Sequence, residues 1–116
     1  MSILKDVKID IGDSEENTDF DDIIVRHINT AFGILSQLGV GPKNGFKITG
    51  YNEDWKDYLG DTTDYKQLEM VRTYISKKVQ LMFDPPQNAT YMNALKDTAS
   101  ELEWRLNVAV DPKEWE

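Results

Sequence analysis

Apolar residues recur every three to four positions along three long stretches of this chain, and that spacing restricts the fold more than any other feature. The first stripe runs Phe20, Ile23, Ile24, His27, Ile28, Ala31, Phe32, Leu35 and Leu38. It marks one face of an amphipathic helix, about 30 Å long for roughly 20 residues. Leu68, Val71, Ile75, Val79 and Met82 form a second stripe, widened by Met70, Tyr74 and Phe83. Tyr91, Leu95, Thr98, Ala99, Leu102 and Leu106 form a third. A helix with one apolar face must bury it against another element, so three such faces in 116 residues predict an all-α bundle. A chain of this length holds one hydrophobic core.

Turn residues set the expected boundaries. Ser2 to Ile11 reads as a short helix, with Ser2 as N-cap, Ile3, Leu4, Val7 and Ile11 as its stripe, and Gly12 as its stop. A polar acidic loop, Asp13-Ser14-Glu15-Glu16-Asn17, follows. Thr18 and Asp21 have capping-box spacing, and Asp19, Asp21 and Asp22 crowd the next helix start, where the helix dipole favours negative charge. Gly39 ends that helix. A third helix is predicted from about Tyr65 to Phe83, capped by Asp64 with Gln67 and stopped by Asp84-Pro85-Pro86. A fourth is predicted from about Ala89 to Leu106, with Asn88 as N-cap and an ion pair between Glu101 and Arg105.

Val40 to Thr63 is broken by glycines and Pro42 and reads as irregular. Within it Phe46-Lys47-Ile48-Thr49 alternates like a short strand or extended segment. Asp54 to Leu59 suits one helical turn whose aromatics pin the connection to the bundle. The expected architecture is thus a small antiparallel bundle of three main helices plus a short N-terminal helix, with a long irregular loop between helices two and three. Helices three and four should form a hairpin around the two prolines. Residues 1–107 form the domain. Residues 108–116 form a tail, in which Pro112 opposes helical continuation.

No catalytic constellation is visible. There is no cysteine for a disulfide, a thiolate metal site or a thiol nucleophile, and His27, the single histidine, lies on an apolar face where packing or a partner contact explains it. Most carboxylates sit at predicted helix starts, where capping accounts for them, and they lack the alternation and closing Glu of a calcium loop. Gly41-Pro42-Lys43-Asn44-Gly45 lacks phosphate-loop order and follows a helix instead of a strand. The expectation is therefore a protein that is not an enzyme and needs no cofactor or metal. The first residues lack the basic and apolar regions of a signal peptide, and no apolar run approaches the roughly 18–20 residues of a membrane span.

Thirteen basic against 21 acidic residues leave a net charge of −8. Such a surface repels duplex DNA over most of its area, which argues against DNA binding by counterion release. The charge fits either simple solubility or a wall that faces nucleic acid without adhering to it. Candidate protein-interface residues are the basic group Arg72, Lys77 and Lys78, together with Trp104, Val108, Val110 and Trp115. Tryptophan is enriched at interface anchors, and apolar residues on a non-helical tail are hard to bury within one subunit.

Three stretches resemble a known family. Ile28-Asn29-Thr30-Ala31-Phe32-Gly33-Ile34-Leu35-Ser36-Gln37-Leu38-Gly39-Val40-Gly41 resembles the second helix and its exit in head–tail connector (adaptor) proteins of long-tailed phages. Leu68 to Ile75, continued by Leu81-Met82-Phe83-Asp84-Pro85-Pro86, resembles their third helix and proline stop. Glu101-Leu102-Glu103-Trp104-Arg105-Leu106-Asn107-Val108 resembles the end of their last helix. The resemblance spans residues 3–108 and consists of packing patterns, not a chemical signature. It implies a structural subunit of the virion head–tail junction, assembled in the host cytoplasm as a homo-oligomeric ring under the portal protein. Such a ring extends the DNA channel, lets DNA pass without specific binding, docks tail-completion proteins and involves no membrane. A reading from a different class is a small acidic regulator that binds and inhibits a host protein.

Overall fold

The computed structural model describes residues 2–14, 16–42, 44–60 and 67–110, and among these five helices and no strand are found. They are α1 (Ile3–Asp10), α2 (Asp21–Gln37), α3 (Trp55–Leu59), α4 (Leu68–Phe83) and α5 (Ala89–Val110). The all-α bundle expected from the three stripes is the observed architecture. α4 is its centre and packs against α1, α2 and α5. Ile3, Leu4, Val7, Ile24, Ile28, Ala31, Leu35, Tyr74, Ile75, Val79 and Leu106 are essentially inaccessible to solvent and form one continuous core.

Local chemistry sets the helix ends. Ser2 caps α1 by accepting from the Lys5 N–H at 3.1 Å. α2 ends in a Schellman turn: Gly39, at φ 82°, lets the Val40 N–H reach Leu35 O at 2.8 Å and its own N–H reach Ser36 O at 3.0 Å. Asn88 caps α5 through its side chain, which accepts from the Tyr91 N–H at 3.0 Å.

The start of α2 departs from expectation. The helix begins at Asp21, Phe20 occupies the N-cap, and no side chain caps it. Thr18 contributes only its carbonyl, 3.3 Å from the Asp21 N–H. Two interactions displace the predicted capping box. Asn17 closes an Asx turn by accepting from the Asp19 N–H at 3.1 Å, and the Asp21 carboxylate is taken by Lys8 and Tyr51. For the third helix, Gln67 stands at the N-cap without a side-chain bond, while Asp64 and Tyr65 lie outside the described residues.

Helix directions follow from paired side chains. Asp6 meets Arg72 and Asp10 meets Ser76 (2.7 Å), two rungs in the same order on each helix, so α1 and α4 run parallel. Tyr74 and Lys78 meet Glu103 while Leu81 lies beside Met92, so α4 and α5 form the antiparallel hairpin expected around Pro85-Pro86. Phe20 at the start of α2 packs edge-on against Phe83 at the end of α4, with centroids 5.4 Å apart.

The third stripe is narrower than its sequence spacing suggests. Leu95, Ala99 and Leu106 are buried, but Tyr91 is 52% exposed and Thr98 is exposed. α5 lies on the outer side of α4, so only a thin strip of it meets the core. α5 also runs on to Val110, past the end expected at Leu106, so Val108 is helical and not part of an irregular tail.

Lys8 is the least conventional core residue. Its side chain is fully buried, and the ammonium donates to Asn17 O at 2.6 Å and Tyr51 Oη at 2.7 Å while pairing with Asp21 Oδ1 at 2.8 Å. Burial by itself lowers the Lys8 pKa. The bonds to Asp21 and Tyr51 and the Asp21 charge outweigh it, leaving the value above the ordinary 10.5. Replacing Lys8 by Met strands the Asp21 carboxylate and the Asn17 carbonyl, and should cost roughly 3 kcal/mol in urea unfolding at pH 7. Because the folded pKa is raised, the ammonium's contribution is complete below about pH 10.5 and fades as pH rises beyond it. The gap between wild type and Lys8→Met should therefore shrink in alkaline titration.

Candidate functional site

The described part of the long loop, residues 40–42 and 44–60, is irregular apart from α3, and several contacts tie it down. Its extended stretch forms no strand. The Asn29 side chain on α2 takes the place of a strand partner, accepting from the Ile48 N–H at 2.7 Å and donating to Ile48 O at 3.0 Å. Ile48 is thereby buried with both backbone groups satisfied. Farther on, Ile3 N–H donates to Glu53 O at 3.0 Å, and Asp54 and Asp57 cap α3 reciprocally in a capping box.

α3 delivers the two aromatics expected to pin the loop. Trp55 and Tyr58 pack with Phe32 and Phe46, with ring centroids 5.1–6.3 Å apart across the cluster. The Trp55 Nε1–H donates to Asp6 Oδ2 at 2.9 Å. Gly41, at φ 97°, passes so close to Tyr58 that a Cβ would lie 2.7 Å from the Tyr58 Oη, so the turn requires glycine. Beside the cluster lies a cleft of about 560 Å³ lined by Val40, Gly41, Phe46, Tyr58, Leu68 and Val71 among others. It is mostly apolar. The buried Tyr58 hydroxyl has no hydrogen-bond partner among the described residues, and burial pushes its pKa from 10.0 up to about 12.

Nothing in this arrangement amounts to a catalytic set. Among the described residues no three His, Asp or Glu side chains gather as a metal site. His27 is partly buried on α2, and desolvation lowers its pKa below 6.5, so it is neutral at pH 7. No helix of the described residues is long and apolar enough to cross a membrane.

The residues singled out as interface candidates separate in space. Arg72, Lys77 and Lys78 do not form one patch, since residues five and six apart on a helix point about 140° and 120° away from the first. Arg72 is engaged inside the fold: its Nε and Nη2 meet Asp6 Oδ2 at 3.0 and 2.8 Å, Nη1 meets Glu69 at 3.1 Å, and its guanidinium lies 5.7 Å over Trp55. Lys78 reaches Glu103 at 3.7 Å across a shallow groove of about 330 Å³ between α4 and α5, lined also by Leu81, Met92, Lys96, Ala99 and Ser100. Trp104 is 64% and Val108 48% exposed, one turn apart on the outer face of α5. Val110 ends the helix, and Trp115 lies outside the described residues. Sequence reasoning missed Asp6, Lys8 and Asn29. A signal existed for Lys8, which stands four residues after Leu4 and three before Ile11, on the apolar stripe itself.

Two substitutions separate structural from surface roles. Arg72→Ala leaves the buried Asp6 carboxylate with only Trp55 as side-chain donor among the described residues and should destabilise the fold by about 2–3 kcal/mol, whereas Lys77→Ala should stay within about 0.5 kcal/mol in the same denaturation assay. Tyr58→Phe removes a hydroxyl with no protein partner and should leave neutral-pH stability unchanged or slightly higher. Tyr58 ionises later in the folded chain than in the unfolded one, so its stabilisation is complete below pH 10 and is lost as pH rises toward about 12. A Tyr58→Phe chain should show a shallower decline over that window, and equal slopes would count against the burial of this hydroxyl.

Comparison with curated proteins and with solved structures finds no match. A family model does match, described as phage connector protein, over residues 3–113. It covers nearly the whole chain, α1 through α5, and agrees with the helical stretches that resemble head–tail connectors. This chain belongs to the phage connector protein family, a family of structural proteins of the bacteriophage head–tail junction.

Proposed function

We propose that the chain is the repeating subunit of a ring that sits under the portal, continues the DNA channel and offers its far side to a tail-completion protein. The family match across residues 3–113 carries this reading. The surface chemistry supports it. A net charge of −8 suits a wall past which DNA slides without sticking. Large apolar side chains left exposed on a rigid helix, Trp104 and Val108, suit a protein completed by neighbours. Lys77 and Lys78 on α4 and the segment reaching Val110 and Trp115 complete the proposed contact residues. Arg72 serves the fold. Ring assembly takes place in the host cytoplasm before or during joining of head and tail.

The test is the native mass of the purified chain across a concentration series, with electron micrographs of the largest species and co-purification with its portal. Closed rings, free or on the portal, are the expected result. A chain that stays monomeric at millimolar concentration and ignores the portal overturns the reading.

A further inference from the structure

The cleft beside the aromatic cluster lies where the last helix ends. Val40, Phe46, Tyr58, Leu59, Leu68 and Val71 are among its lining residues, and its volume is about 560 Å³. Sites that bury a ligand run from roughly 300 to 1,000 Å³, so this one has room for a large ring. The Tyr58 hydroxyl is itself inaccessible, so the cleft meets the tyrosine ring and not its oxygen. Asp57 is the one charged residue among those lining the cleft, and its carboxylate already accepts from the Asp54 N–H at 2.9 Å. Walls of this kind favour an apolar occupant.

The pairing of α4 with α5 brings the end of α5 to the lip of the cleft. Tyr74 Oη donates to Glu103 Oε2 at 2.8 Å across the antiparallel hairpin. Gln67 stands seven residues, about two turns, before Tyr74, and Val110 stands seven residues after Glu103. Val110, the last residue of α5, is therefore level with Gln67 and Leu68, both of which line the cleft. A second tie agrees. The Asn107 Nδ2 donates to Leu38 O at 3.1 Å, two residues before Val40, another lining residue.

Six residues follow Val110: Asp111-Pro112-Lys113-Glu114-Trp115-Glu116. Pro112 disfavours a helical Asp111, which opposes running α5 straight on past the cleft. Trp115 is the one large apolar side chain of the six, and it stands five residues beyond Val110. Five extended residues span at most about 18 Å, and packed helix axes lie about 8–10 Å apart, so the indole reaches the cleft from Val110 with α5 in place. Trp104 is no rival, because the helix holds it on the outer face of α5, 64% exposed.

We propose that in the free subunit the occupant of the cleft is the chain's own C-terminal segment, with the Trp115 indole seated against Phe46, Tyr58, Leu68 and Val71. Val110 fixes the start of the segment at the lip. A short tether of this kind supplies the indole to its own cleft at an effective concentration on the order of millimolar, well above what other subunits supply in dilute solution. The burial of one tryptophan ring removes about 150–250 Å² from water. This seat does not rest on the ring reading. A ring that uses the segment between neighbours must first draw it out of its own subunit.

Nuclear magnetic resonance on the full chain, at a dilution where the subunit is free, tests the proposal. The Trp115 ring protons should show Overhauser contacts to the Leu68 and Val71 methyls and to the Phe46 or Tyr58 ring. Trp115→Ala should abolish these contacts and shift the Val40, Leu68 and Val71 methyl resonances. Trp115→Phe, which keeps a ring, should shift them less, and Trp104→Ala should leave them in place. Helical circular dichroism checks that each variant is folded. A Trp115 ring without contacts to the cleft, with methyls that Trp115→Ala does not move, overturns the proposal. So does a cleft whose methyls contact Tyr65, on the connection from Gly60 to Gln67, in place of Trp115. Contacts that appear only between labelled and unlabelled chains in a mixed sample overturn the intramolecular seat and give the cleft to a neighbour's segment.

Discussion

The Asp6 carboxylate is the fixed point from which the rest of the structure is arranged. It is nearly buried and receives the Trp55 indole N–H and two nitrogens of Arg72, one oxygen meeting three donors from two other helices. A buried carboxylate is tolerable only when so provided for, and each donor comes from an element that must therefore be in place. Trp55 brings α3 and with it the long loop. Arg72 brings α4 parallel to α1, and Asp10 with Ser76 repeats the connection one turn later. The pair Arg72–Glu69 at the rim adds little, since Glu69 is 79% exposed and such pairs contribute on the order of 0–1 kcal/mol.

Lys8 plays the same part on the other side of α1. One ammonium holds the carbonyl of Asn17, the Tyr51 hydroxyl and the Asp21 carboxylate, and Tyr51 in turn donates to Asp21 Oδ2 at 2.7 Å. The connection between α1 and α2, the start of α2 and the middle of the long loop thus converge on a single buried charge. An apolar residue there would satisfy the core but leave three connections without a common anchor. In a chain with an excess of eight negative charges, placing a cation where acids converge also relieves local repulsion.

The parts of the fold legible in the sequence were those governed by period and by stop residues. The stripes of α2 and α4, the Ser2 and Asn88 caps, the Gly39 and Pro85 stops and the helical turn at Trp55 all depend on neighbours within a few residues. What sequence reasoning missed depends on partners far along the chain. Thr18 loses its capping role because Asn17 and Asp21 are engaged by Lys8 and Tyr51, nine to 30 residues apart in their pairings. Asn29 substitutes for a strand across a separation of 19 residues, which no local pattern announces. Tyr91 and Thr98 have core spacing on α5 yet face solvent, because spacing specifies a face but not how wide a neighbour covers it. Arg72, grouped by sequence with Lys77 and Lys78, belongs to the interior because Asp6 stands 66 residues away in sequence and 2.8 Å away in space.

The anchored residues and the exposed apolar residues occupy different parts of the molecule. Its buried polar groups are concentrated in α1 and in the loop it secures, where they fix the relative positions of α1, α2, α3 and α4. Trp104 and Val108, by contrast, stand on the outer side of α5, and Phe20 and Ile23 stand at the start of α2. The molecule is a flattened body, 47 × 36 × 19 Å, in which α4 separates these two groups. A single subunit burying both groups within itself would need a thicker, rounder bundle. Leaving them on opposite flanks keeps that apolar surface in water, where the hydrophobic effect favours covering it with another surface.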